Sequence, residues 1–378
     1  MKKTLLLPLL LLLAPVAVAS SPGGSLPKTI VGAAKSVLSF IDSMTVSGVD
    51  TNYIGAPEKP WQIIARYNVN QSDMKMKSVF PAAETLFSGV TGQISIEPRF
   101  ITRPSNYVGL WAGYRGYGFG YTVNVAGDKG RLLSFGAMGG RFGLNLRIHW
   151  FEEADPNIVL TQEATQAIDR NNNFPLNTPA SGRTLILDGY YMFNGKRFSY
   201  AAAYDQSVIQ RRSAGSVMAG AMYYYSNVHY DSDNNADFIL LMNDIGRIRQ
   251  WQASIGAGYA YNFVPARGVL ISAMAMPMLT FVNRVEGYTY DSTVRQLALA
   301  EEEHELPPPS EWKIWEKGKG AINGRMTWNV HARLSLTYNW NRFFVNAYGQ
   351  LYNFRFSYED TSGWLNEWFI NASVGVRL

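Results

Sequence analysis

The 378-residue chain contains no cysteine. That excludes a disulfide framework, a cysteine-ligated zinc or iron–sulfur centre, and a lipoprotein anchored through an acylated N-terminal cysteine. Charge is also scarce: Asp, Glu, Lys and Arg make up 17%, and the formal net charge is +5. So mild and dispersed a balance leaves no basic footprint for nucleic acid. Long apolar runs are missing as well. Beyond the first nineteen residues no stretch reaches 18 apolar residues; the nearest, Val269 to Val282, is broken by Ser272, Pro277 and Thr280. A mean hydropathy of −0.11 is too polar for a bundle of membrane helices. What the chain has in quantity is 22 Tyr, 19 Phe, 10 Trp and 34 Gly. This composition argues against disorder and is unusual for a cytosolic enzyme.

The N-terminus reads as an export signal. Lys2 and Lys3 precede an apolar run from Leu5 to Leu13, and Ala17-Val18-Ala19 supplies a small-x-small cleavage site. Residues 1–19 are therefore expected to be removed, and the run is too short to span a membrane comfortably. Loss of the two lysines lowers the formal charge from +5 to +3. Residues 20–58 read as a periplasmic arm. Ser21-Pro22-Gly23-Gly24-Ser25 forms a flexible leader, and Ile30, Ala33, Ala34, Val37, Ile41 and Met44 share one face of a short helix.

From residue 59 onward the dominant period is two. Trp61, Ile63, Ala65, Tyr67 and Val69 alternate with Gln62, Ile64, Arg66, Asn68 and Asn70. Phe142, Leu144, Leu146, Ile148 and Trp150 alternate with Gly143, Asn145, Arg147 and His149. Trp251, Ala253, Ile255, Ala257, Tyr259, Tyr261 and Phe263 oppose Gln252, Ser254, Gly256, Gly258 and Asn262. Strand side chains point alternately to opposite faces, so each segment has one apolar face and one polar or glycine-rich face. A soluble sandwich could bury the apolar faces against each other; a membrane barrel would turn them to lipid.

Three features favour the barrel. The apolar faces run to about five side chains, matching strands of roughly 9–11 residues tilted through a bilayer. Aromatics gather at segment ends (Trp61, Tyr107, Tyr117, Trp150, Tyr261, Trp340, Trp368) as interfacial girdles do. Short links alternate with long ones near 153–182, 227–249 and 283–320. The expected fold is all-β: a transmembrane antiparallel β-barrel of about twelve strands over residues 59–378, with the short helical arm before it. One segment, 92–114, reads as a single strand, and Pro98, Pro104 and Pro277 require edge-like or bulged positions. The last strand alternates to its end through Trp368, Ile370, Val374, Val376 and Leu378, with Gly375 among them. Such a terminus resembles the signal read by the outer-membrane assembly machinery, although Leu378 stands where phenylalanine is usual.

Several strings add a resemblance. Asp50-Thr51-Asn52-Tyr53-Ile54, Tyr114-Arg115-Gly116, Tyr190-Tyr191-Met192-Phe193-Asn194, Lys196-Arg197-Phe198-Ser199-Tyr200, Gln210-Arg211-Arg212-Ser213-Ala214-Gly215-Ser216 and Asn371 to Arg377 carry it. With them the chain resembles an uncharacterised group of signal-bearing outer-membrane barrel proteins of diderm bacteria, filed as a domain of unknown function. The resemblance implies a fold and a Gram-negative outer-membrane location. It supplies no substrate and no catalytic residue.

Four constellations carry functional expectations. By alternation Arg66, Arg147, His149, Asp188, Arg325, Arg333, Glu367 and Arg377 point into the barrel. They form either mutually paired fillers of a narrow interior or an arginine-influenced lining that favours anions. The connection 196–213 is longer than a periplasmic turn requires. Its Lys196, Arg197, Phe198, Tyr200, Gln210, Arg211 and Arg212 are candidates for a constriction across the mouth, the alternative being an ordinary loop. The histidines show no local motif joining them to a serine, so no catalytic residue is assigned; a lipid hydrolase with His149 as base is the minor reading. The acidic strings 231–237 and 301–305 read as solvated loops, with no metal or cofactor expected. The leading function is a narrow passive channel for small or anionic solutes. The alternative is a non-transporting surface barrel. Expected partners are outer-membrane lipid, the assembly machinery and a small solute.

Overall fold

The computed structural model describes residues 48–81, 93–127, 129–153, 157–163, 168–170, 179–230, 245–290, 311, 321–358 and 361–378. The signal segment, the helix expected over Ile30 to Met44, and the acidic strings 231–237 and 301–305 lie outside the described residues.

A two-residue strand β1 (Ile54–Gly55) precedes the long strand β2 (Trp61–Pro81). Then follow β3 (Gln93–Ile101), β4 (Ser105–Tyr114), β5 (Tyr117–Ala126), β6 (Lys129–Met138) and β7 (Phe142–Glu153). Next come β8 (Asn157–Glu163), β9 (Ile168–Arg170) and β10 (Ala180–Met192). The connection after β10 holds a five-residue helix α1 (Tyr200–Tyr204) and a short strand β11 (Ile209–Gln210). The remaining elements are β12 (Ala214–His229), β13 (Ile245–Phe263), β14 (Val269–Thr289), β15 (Ala321–Asn323), β16 (Thr327–Trp340), β17 (Phe343–Tyr358) and β18 (Thr361–Arg377).

Twelve strands close into an antiparallel barrel in the order β2, β4, β5, β6, β7, β10, β12, β13, β14, β16, β17, β18. The last strand pairs with the first from Arg377 opposite Gln62 to Thr361 opposite Ser78. No barrel strand is left with an open edge, so the backbone groups of the wall are paired laterally. The stretch 92–114 is two strands, not one. The chain breaks at residues 102–104, where Pro104 has no amide proton to give a ladder. β3 leaves the barrel wall and, with β8 and β9, extends the far half of β2 into a flap. Pro277 sits mid-strand without a bulge. Instead the β13–β14 pairing lapses between Gly256–Met278 and Tyr259–Ala275, the place where proline cannot donate.

Both described termini and the links 115–116, 139–141, 264–268 and 341–342 lie at one end of the barrel. At that end Arg115 and Gly116 take positive φ of 50° and 91°, the mirror-image turn whose twist matches a two-residue hairpin. The long connections leave the opposite end, as do the two-residue links after β5 and β17.

The outward face is apolar and uncovered. Leu110 is 63% exposed, Leu334 61%, Ile255 53% and Ile370 55%. A soluble sandwich would bury these positions, whereas a barrel in lipid leaves them on the surface. Tyr107 departs from the expected girdle: it is fully buried inside, where its hydroxyl meets His149 Nε2 at 2.6 Å. The inward glycines of β5 and β6 also hold no water space. Trp111 lies against the inward faces of the adjacent β5 and β6, and a Cβ at Gly118 would stand 2.5 Å from its indole, at Gly120 2.7 Å and at Gly136 3.0 Å. On β18, Trp368 and Ile370 face outward, and Leu378 follows it, exposed and bonded through its amide to the Trp61 carbonyl at 2.8 Å. Val376 is half-buried on the same outward phase, while Gly375 faces inward beneath the Phe344 ring, leaving no room for a side chain.

Candidate functional site

The site follows from one local sequence, the connection 193–213. Ser199 is an N-cap: its hydroxyl accepts from the Ala202 amide at 3.2 Å and starts α1. Gln206 ends the helix in a left-handed conformation (φ 59°), returning its amide to the Ala201 carbonyl at 2.7 Å. This compact turn does not lie across the barrel mouth. It rises into the lumen, so that Phe198, Tyr200, Ala201, Ala202, Ala203, Tyr204 and Val208 are all buried. They share an apolar core with Met192, Met218, Met274, Met276 and Leu270 from the inward faces of β10, β12 and β14.

Inward polar side chains hold the backbone of this segment. Gln62 donates to the Asp205 carbonyl at 2.9 Å, and Asn262 to the Ser199 carbonyl at 2.8 Å. Asn346 donates to the Ala203 carbonyl at 3.2 Å, and Arg377 Nη2 to the Gln206 carbonyl at 2.8 Å. These donors come from four strands around the wall and pair backbone oxygens that are buried with the segment; the Ala203 carbonyl also accepts from Gln206 Nε2 at 3.1 Å. Gln210 fastens the base: its Oε1 accepts from the Ser199 amide, and its amide nitrogen donates to the Arg197 carbonyl at 2.6 Å. Below it β1 pairs with β11, and the Asp50 amide donates to the Lys196 carbonyl at 2.8 Å. The strings 50–54, 196–200 and 210–216 thus meet at the mouth.

Above the segment stands a buried charge cluster. Arg333 Nη2 lies 3.0 Å from Asp188 Oδ2, and both residues are almost fully buried. Asp188 also accepts from Tyr352 at 2.7 Å and from Asn145 at 2.6 Å. Arg333 Nη1 donates to the Tyr200 hydroxyl, linking the cluster to the segment beneath. Its Nε donates to His331 Nε2 at 3.0 Å. Accepting there makes Nδ1 the protonated nitrogen, which faces the Tyr190 hydroxyl at 2.7 Å. Arg147 packs over the Phe369 ring at 4.4 Å, and Arg66 over Trp111 at 4.0 Å.

Of the expected inward charges, Arg66, Arg147, His149, Asp188, Arg333, Glu367 and Arg377 lie on inward strand positions. Arg325 does not. It has inward parity, but β16 starts only at Thr327, so Arg325 is exposed at the long-loop end. Of the expected constriction residues, Phe198, Tyr200 and Gln210 are buried. Lys196, Arg197, Arg211 and Arg212 remain exposed outside the mouth, where Arg197 and Arg212 pack over Tyr53. The four cations therefore do not line the passage. Periodicity could have singled out Gln62, Asn262, Asn346 and Tyr352 as inward polar groups, but nothing local assigned them partners. Between segment and cluster lies a pocket of about 50 Å³, bordered by Arg66, Trp111, Asp188, Asp205 and Arg333. That is room for a water or two.

The family described as Domain of unknown function (DUF4421) matches residues 48–377. Among solved structures the chain is similar to the COG4313 outer membrane channel from Pseudomonas putida F1, at 12% identity over 86% of this chain and 98% of that one, with a TM-score of 0.27. It is also similar to the translocator domain of the autotransporter NalP from Neisseria meningitidis (9% identity, 93% and 96% covered, TM-score 0.32). A third is the outer membrane protease OmpT from Escherichia coli (8% identity, 84% and 97% covered, TM-score 0.33). Likeness this remote carries nothing about role. No curated protein matches in sequence.

Proposed function

The chain belongs to the DUF4421 family, which assigns it no activity, and we propose that it is an outer-membrane channel held closed by its own periplasmic segment. The apolar outward belt supports insertion in a bilayer, and the end that bears the termini, opposite the longest connections, corresponds to the periplasmic side. The observation that carries the reading is the folded-in connection 193–213, whose buried side chains fill the lumen at this end and leave beside them a pocket of about 50 Å³. Withdrawing it would open a passage walled by inward Asn, Gln, Ser and Thr side chains. Among the described residues the interior holds Arg66, Arg147, Arg333 and Arg377 against Asp188, Asp205 and Glu367. Asp205 leaves with the withdrawn segment, so the wall keeps four arginines against Asp188 and Glu367, a balance of two positive charges, and the open state should admit small solutes with a preference for anions.

Planar-bilayer recording tests the proposal. A variant lacking Ser199 to Gln210 should show steady unitary conductance where the intact protein is almost silent. Phe198→Ala in the full chain should give brief openings by the same route. A deletion variant that inserts and remains silent would overturn the channel reading. It would favour a non-transporting barrel, a reading already supported by the apolar core that the segment forms inside the wall.

A further inference from the structure

The long-loop end of the barrel carries an unusual outward surface. Six neighbouring strands, β6, β7, β10, β12, β13 and β14, place successive outward positions side by side. One ladder row runs Arg131, Trp150, Arg183, Asn227, Arg249, Glu286. The rows on either side of it add Lys129, Arg247 and Arg284 together with Tyr225, Trp251 and Tyr288. Cations and rings alternate in contact: Arg131 lies over Trp150 at 5.1 Å, Arg183 over Tyr225 at 5.8 Å, Arg249 over Tyr288 at 4.8 Å and Arg284 over Trp251 at 5.6 Å. The rings hold the guanidinium planes in fixed orientations.

The charge is one-sided. Among the described residues six cations share the surface with two carboxylates, Glu152 and Glu286, and of these cations only Arg284 is ion-paired, to Glu286 at 2.6 Å. Among the described residues Lys129, Arg131, Arg183, Arg247 and Arg249 have no carboxylate partner. Arg249 Nη1 donates to the Tyr288 hydroxyl at 3.0 Å, and the Nε atoms of Arg247 and Arg249 have no hydrogen-bond acceptor among the described residues. Part of the surface is hollowed into an open groove of about 660 Å³ bordered by Arg131, Trp150, Arg183, His229 and Arg247. It sits directly above outward apolar residues such as Leu133, Ile148, Leu185 and Ile255, at the height where acyl chains give way to headgroups.

We propose that this aromatic–arginine shelf seats the phosphate groups of a phosphorylated glycolipid of the outer leaflet, with its acyl chains lying along the apolar wall below. The inference rests on the membrane placement proposed above and is independent of whether the lumen conducts. Bidentate guanidinium–phosphate contacts supply the polar recognition, and the flanking rings cover the sugar.

The test uses the full-length protein in neutral detergent, with native mass spectrometry and thermal melting on addition of bisphosphorylated lipid A. Retention of the lipid and a raised melting temperature are expected, with affinity falling at least tenfold in the triple variant Arg131→Gln, Arg183→Gln, Arg247→Gln. Arg355→Gln, an outward cation elsewhere on the same rim, should bind as the parent does. Heat-modifiable gel mobility, read in parallel, reports whether each variant is a folded barrel, so loss of the membrane fold is distinguished from loss of the site. Equal binding by the folded triple variant would overturn the proposal. So would equal retention of dephosphorylated lipid A or phosphatidylethanolamine, or a response to inorganic phosphate that matches the response to the lipid.

Discussion

Leu334→Arg separates a barrel in lipid from a barrel in water. Leu334 faces outward at the middle of β16, six residues from Trp328 and six from Trp340, which are themselves 61% and 40% exposed. Twelve residues at about 3.4 Å each span roughly 40 Å along the strand. A tilt of about 35–45° shortens this to roughly 28–33 Å along the membrane normal, against an apolar band about 25 Å tall. The two tryptophans therefore bracket the band, and Leu334 falls at its midplane. An arginine there should cost about 2–4 kcal/mol, while Met326→Arg, beyond the girdle, should cost at most about 1 kcal/mol. In a water-soluble protein the same exposed substitution would stay within about 0.5 kcal/mol. Reversible urea unfolding from phosphatidylcholine vesicles measures the difference. A Leu334→Arg variant as stable as the parent would refute the assignment of the apolar stripe to acyl chains.

Two further substitutions probe the interior. Asp188→Leu leaves the Arg333 guanidinium buried without its carboxylate and should destabilise by about 3–5 kcal/mol, whereas adding Arg333→Met should restore most of the loss; a double variant no better than the single would show that the pair is not the source. Gly118→Ala places a methyl group about 2.5 Å from the Trp111 indole and should lower the heat-modifiability midpoint through about 1–3 kcal/mol of overpacking, an effect that Trp111→Leu should relieve.

The wall was readable because its periodicity is a local property. Along β16, Asn329, His331, Arg333, Ser335 and Thr337 alternate with Trp328, Val330, Leu334 and Leu336, and that pattern alone assigns the faces. Partnerships across the lumen are a different matter. Asp188 and Arg333 are 145 positions apart on β10 and β16, and no spacing rule joins strands that are not neighbours. Trp111 is a further case: glycine at 118, 120 and 136 forms the seat of an indole from another strand, which alternation along one strand does not show. The connection 193–213 was conspicuous by length, but its direction depended on side chains elsewhere. Gln62, Asn262, Asn346 and Arg377 all offer donors at the depth where the segment has carbonyls. Arg325 shows the limit of parity, since alternation cannot say where a strand begins.

What holds the segment inside decides how the protein would open. Its hydrogen bonds are replaceable: in a withdrawn state water would take over the carbonyls and the wall amides, so each bond contributes only about 0.5–1.5 kcal/mol net. Phe198, Tyr200, Tyr204 and Val208 have no such exchange, because leaving the methionine-lined core exposes them. At about 1.5–3 kcal/mol per side chain their burial favours closure by roughly 6–12 kcal/mol. At tenfold per 1.4 kcal/mol the spontaneous open fraction is below about 10⁻⁴. Phe198→Ala, which removes about 3–5 kcal/mol from a packed aromatic, should therefore raise open probability by a hundredfold or more, and Asn262→Ala by about tenfold or less. If Asn262→Ala opens the barrel as readily as Phe198→Ala, the polar contacts hold the segment and the apolar account of closure is wrong.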